Sequence, residues 1–136
     1  MSRRKAWTSG PTKTTKPKVP EHIREMVDKL TAELVKAFLK PNFIKPPPAE
    51  NNFNYIVDIY TKWYRNYLYL CAKYNCPSPN AIAPSFESKF ARLEYVGEEK
   101  YSLSFMRHTE QWCELYNGLT AEECLKIIKE DPNFLP

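Results

Sequence analysis

The stretch FNYIVDIYTKWYRNYLYLCAKYN, residues 53–75, decides the fold, and it pulls in two directions. It is dense in Tyr, Ile, Val and Trp, the residue types that suit a pleated strand. Its polar residues follow a different period. Asn54, Asp58, Thr61, Lys62, Arg65, Asn66 and Lys73 fall within an arc of about 140° when plotted at 100° per residue. Ile56, Ile59, Tyr60, Trp63, Tyr67, Leu70 and Tyr74 fill the opposite side. Plotted as a strand, the polar residues do not gather on one face. Periodicity over this length outranks propensity, so the pattern predicts a helix. The alternative is a hairpin turning at Arg65-Asn66.

Upstream, Ile23, Met26, Val27, Leu30, Leu34 and Phe38 recur at helical spacing. Pro20 suits a helix start, Glu21 and Glu25 complement its positive end, and Pro41 marks the expected stop. Pro46-Pro47-Pro48 and Asn51-Asn52 read as a stiff connector rather than as a peptide ligand. Downstream, Cys76-Pro77-Ser78-Pro79-Asn80 reads as a loop. Ser88–Val96, Tyr101–Arg107 and Gln111–Tyr116 read as three short strands separated by Gly97-Glu98-Glu99 and His108-Thr109-Glu110. Ala91, Leu93 and Tyr95 alternate with Arg92 and Glu94. Thr120 with Glu123 forms a capping box for a last helix that ends at Asp131-Pro132. The expectation is an α+β fold in the order α-α-β-β-β-α, with a three-stranded antiparallel meander packed by three helices.

The chain has 136 residues, enough for one domain. Its net charge of +4 is unevenly spread. Arg3, Arg4, Lys5, Lys13, Lys16 and Lys18 stand without any acid in residues 1–20, whereas the rest carries 14 basic and 16 acidic residues. Residues 1–19 are expected to form a disordered basic tail, with Trp7 as a lone apolar anchor, and residues 20–136 a single α+β domain. Residues 1–20 contain no apolar signal segment, and no apolar run spans a bilayer, so a cytoplasmic setting with reduced thiols is expected.

From Phe90 onward, Arg92, Tyr95, Val96, Tyr101, Met106-Arg107, Trp112, Tyr116 and Asp131 carry a pattern: strand, short turn, strand ending in Met-Arg, short turn, Trp-containing strand, capped helix. This last third of the chain resembles a family of small uncharacterised bacterial domains. The resemblance implies kinship of fold and brings no known function with it.

Chemistry motifs are sparse. Zinc would need two close ligand pairs; Cys71-x4-Cys76 is the only close Cys pair, and Cys113, Cys124 and His108 complete no set. A Cys nucleophile would need His22 or His108 as its base. Asp58, Glu94, Glu110 and Glu114 show no pairing that marks acid–base work. Three Gly in the whole chain leave no glycine-rich phosphate cradle. No metal or cofactor is expected, and an enzyme ranks third among the readings. A non-catalytic protein-interaction or regulatory module ranks first, with Trp63, Tyr64, Arg65 and Tyr67 as the densest cluster of interface-type residues. The second reading is a nucleic-acid-associated protein. It would use Arg3, Arg4, Lys5, Lys13, Lys16 and Lys18 to follow phosphates, and Tyr95, Tyr101 and Phe105 to stack bases if their sheet face is open.

Overall fold

A computed structural model describes residues 17–46 and 53–136. Five of the expected tail cations, Trp7, and the connector residues from Pro47 to Asn52 lie outside this range. These residues form one long helix, a five-stranded antiparallel sheet and one short helix. Helix α1 (Glu21–Leu34) passes through a π-helical turn (Val35–Leu39) into a last α-turn, α2 (Lys40–Phe43). Strands β1 (Tyr55–Tyr64), β2 (Tyr67–Asn75), β3 (Ser85–Gly97), β4 (Lys100–Met106) and β5 (Trp112–Leu119) follow, in spatial order β1-β2-β3-β4-β5. Helix α3 (Ala121–Glu130) and a 3-10 turn (Pro132–Phe134) close the described chain.

The expected three-stranded sheet with three helices is therefore corrected. Residues 53–75 are not a helix. They are the β1–β2 hairpin, and it turns at Arg65-Asn66. Two features hid the strand period. A bulge between Ile56 and Asp58 shifts the phase of β1. Beyond it, Ile59, Thr61 and Trp63 face one way and Tyr60, Lys62 and Tyr64 the other, so each face mixes polar with apolar residues. A period count based on polarity alone cannot see such a strand. Arg65 adopts a left-handed φ of 55°. Asn66 fastens the turn from beneath: it is buried, and its Nδ2 donates to the Tyr95 carbonyl at 3.0 Å. Tyr95 N–H donates back to the Asn66 carbonyl at 2.8 Å.

The first helix also outruns its expected stop. Pro41 lies inside it, because the π-helical turn comes first. Lys40 N–H bonds to the Val35 carbonyl, five residues back. That wider turn accommodates the proline ring, which would clash with the preceding turn of a regular α-helix. The extra residue also keeps Val35 and Leu39 on the buried stripe begun by Ile23 and Val27. Thr31 sits fully buried in the same stripe and donates its hydroxyl to the Val27 carbonyl at 2.6 Å.

The three downstream strands and the final helix form at the places that the alternation and the capping box indicate, but β3 starts earlier, at Ser85, and β5 runs past Tyr116 to Leu119. Thr120 Oγ1 accepts from Glu123 N–H at 3.2 Å, and Glu123 Oε1 accepts from Thr120 N–H at 2.8 Å. Both helices cover one sheet face. Ile59, Leu68, Leu70, Phe90, Leu93, Tyr95, Tyr101 and Leu103 meet Ile23, Val27, Leu39, Cys124, Leu125 and Ile128 in one continuous core. Trp63 belongs to this side: its Nε1 donates to Asp28 of α1 at 2.6 Å, and Arg24 stacks 4.5 Å from its ring.

The β3–β4 turn places Glu98 and Glu99 at φ of 53° and 58°, a two-residue turn that favours Asn-Gly. The double substitution E98N/E99G should relieve this strain and raise stability by about 1 kcal/mol. A right-shifted urea midpoint with unchanged slope is the expected result.

Candidate functional site on the open sheet face

With helices on one side only, the second face of the sheet is lined by its own long side chains. The strand register brings them together. Lys62 pairs with Tyr69, Tyr69 with Arg92, Arg92 with Ser104, and Met106 with Trp112. Tyr64 pairs with Tyr67 and Tyr60 with Cys71 at the flanks. A bulge at Phe90 in β3 keeps Lys89 and Arg92 on this face together.

The aromatic and cationic groups interleave. The Arg92 guanidinium lies 4.7 Å from the Tyr67 ring centre and 4.8 Å from that of Trp112. Tyr69 stands 5.7 Å from Trp112 and 6.0 Å from Tyr67. Lys89 Nζ sits 5.7 Å from the Tyr69 ring, and Arg65 lies 5.1 Å from the Tyr64 ring. Contacts of this kind hold both partners in place. An open groove of about 560 Å³ runs between Lys62, Trp63, Tyr64, Tyr69, Lys89, Met106 and Trp112. Two lysines and no acid line it.

Glu87 on β3 orders the two lysines. Lys62 Nζ lies 2.7 Å from one of its oxygens and Lys89 Nζ 3.4 Å from the other, and the Tyr60 hydroxyl donates to it as well. The Lys62 bond first, then the Tyr60 bond, pull the Glu87 carboxyl down to about 2. The same contacts hold the Tyr60 phenol and the Lys62 ammonium protonated above their ordinary ranges. Beneath this cluster lies Cys71, fully buried, its thiol pushed up to about 11 by desolvation. Burial raises Cys124 to about 12. Cys76 and Cys113 are half-buried. His22 and His108 are both exposed, His108 in the β4–β5 turn. Among the described residues, no group of three or more His, Cys, Asp or Glu could hold a metal ion, and no helix is long and apolar enough to cross a membrane.

The residues singled out from sequence divide. Tyr64 and Tyr67 are on the open face, Arg65 is at its rim, and Trp63 turns to the helices. Tyr95 and Tyr101 are buried under α3 and α1, and Phe105 packs against Phe134 at 6.1 Å, so none of these three can stack a base. Lys18 is exposed, and its neighbour Pro17 lies beside Gly97 at the β3–β4 turn. That turn is at the same sheet end as Arg65. Tyr69, Lys62, Lys89, Arg92 and Trp112 were not singled out as site residues, although Arg92 and Trp112 are among those that carry the resemblance. Their signal was present in the alternation of Arg92 and Glu94 against Leu93, but it needs the register to be read as one surface.

Fold and site together define a small one-layer sheet domain with an aromatic and cationic open face. No curated protein and no solved structure matches the chain. A family model does, over residues 14–136, and the chain belongs to that family, Domain of unknown function (DUF3024). The kinship seen in the last third of the sequence thus extends over nearly all of it.

Two outcomes follow from the titrating groups. Glu87 is more acidic folded than unfolded, so its stabilisation is complete above about pH 4.5 and is lost as pH falls toward 2. E87Q should cost about 1–2 kcal/mol at neutral pH and flatten acid unfolding in that window, read by circular dichroism. Native thiol labelling should reach Cys76 and Cys113, while Cys71 and Cys124 react only with the unfolded chain. Fast native labelling of either buried thiol, located by peptide mass mapping, would contradict this arrangement.

Proposed function

We propose that this domain is a non-catalytic module that binds single-stranded nucleic acid across the open face of its sheet. The observation that carries the reading is the interleaving of Tyr67, Tyr69 and Trp112 with Arg92, Lys62 and Lys89 beside a groove whose two lysines Glu87 holds in place. Flat rings stack bases of any kind, and cations between them meet phosphates. The basic segment Arg3, Arg4, Lys5, Lys13, Lys16 and Lys18 supports the same reading. It joins the body at the sheet end where Tyr64 and Arg65 lie, so its charges can meet the phosphates of a strand leaving the groove.

A protein partner is the second reading. It is favoured by Tyr64, 57% exposed at the hairpin tip beside Arg65, the pairing typical of interface anchors.

The two readings separate in a fluorescence-anisotropy titration of the full chain with labelled single-stranded RNA and DNA of mixed sequence. Binding should weaken at least about tenfold in Y69A/W112A, with thermal stability retained as a control for folding. Removing residues 1–16 should reduce the steepness of the salt dependence, because counterion release scales with the phosphates neutralised. If the full chain binds neither strand at low salt, the nucleic-acid reading fails and the hairpin tip becomes the surface to pursue.

A further inference from the structure

Resting on the reading of the open face as a single-strand surface, we infer that Arg92 reads a base, and that the base is guanine. Arg92 is on the central strand of the five, in the middle of the aromatic platform, between the Tyr67 and Trp112 rings. Rings on this side chain fix the plane of its guanidinium before any ligand arrives. No ion pair to a carboxylate engages it among the described residues, unlike Lys62 and Lys89, which Glu87 holds. Its Nε is closed off from solvent without a hydrogen-bond partner. The side chain is half-buried with its Nε closed off, which leaves the outer pair of nitrogens, a fork of parallel donors, as the part open to a ligand on this face of the sheet.

A planar fork of donors selects a ligand edge with two adjacent acceptors. Guanine offers O6 and N7 on one edge. Adenine offers N7 beside an amino donor, and uracil or thymine has no two adjacent acceptors, so each leaves one arm of the fork unmatched or opposed. Cytosine places N3 beside O2 on its Watson–Crick edge, but its single ring covers less of an aromatic platform than a purine does. A phosphate would also match the fork. The position argues for the base: Arg92 is enclosed by rings, where a base stacks, while Lys62 and Lys89 flank the platform, where the backbone passes. Ser104, its buried neighbour on β4, is too short to compete for the same edge.

The test uses the full chain and four labelled RNA octamers: UUUGGUUU, UUUAAUUU, UUUCCUUU, and the first with both guanines replaced by 7-deazaguanine, which lacks the N7 acceptor. Guanine should bind about tenfold tighter than adenine or cytosine, and the 7-deaza probe should lose most of that gain. R92K, which keeps the charge and removes the fork, should erase the preference while leaving affinity for UUUAAUUU nearly unchanged. The deaza comparison needs no mutant, so it stands even if R92K folds poorly. Equal binding of all four octamers by the native chain, or cytosine bound as tightly as guanine, overturns the guanine assignment and leaves the open-face reading in place. A guanine preference that survives 7-deaza substitution, or survives in a folded R92K, also overturns it. Binding of none of the octamers removes both.

Discussion

Five strands joined in sequence by hairpins leave two faces to be covered, and the described residues supply helices for only one. A single long helix and a short one seal the apolar side. Everything on the other side follows from that shortage. The open face must be compatible with water and still shield the backbone of the central strands. It does so with long amphipathic side chains: tyrosines, a tryptophan, lysines and an arginine, whose bodies lie against the sheet and whose tips stay wet. Ser102, Ser104 and Cys71 are buried on this face beneath them. Rings and cations chosen for covering a sheet are also the groups that stack bases and meet phosphates.

The covering on the helix side depends on two local deviations. The π-helical turn lets the helix carry Pro41 and extend along the sheet to Leu39, so one element rather than two packs that length. Trp63, bonded to Asp28 and stacked under Arg24, pins the helix to the edge strand β1. Lys40 and Asp58, 3.3 Å apart, add an exposed pair that contributes little energetically. On the open side, Glu87 plays the ordering part, drawing Lys62, Lys89 and Tyr60 to one point. A carboxylate held by three donors fixes where those donors stand, and so shapes the groove wall.

The sequence by itself determined the first helix, the last helix with its Thr120–Glu123 cap, and the alternation of β3 around Leu93, because those signals are local and lie within a few residues of one another. It also held the right turn for residues 53–75, at Arg65-Asn66, as the lesser of two readings. Only the tertiary structure decided between them. Ile59 is core because the π-helical turn and α2 pack against β1, and Tyr60 is not because it points to the other face of the sheet; a helical wheel has no access to that difference. The same holds for the site. Tyr69, Arg92 and Trp112 come from three strands more than forty residues apart at their extremes, and they meet only because hairpin register and the bulge at Phe90 align them. Tyr95 and Tyr101, equally aromatic and equally on strands, are buried because their parity is opposite. Which side of a sheet a residue takes is set by register, and register is a property of the assembled strands.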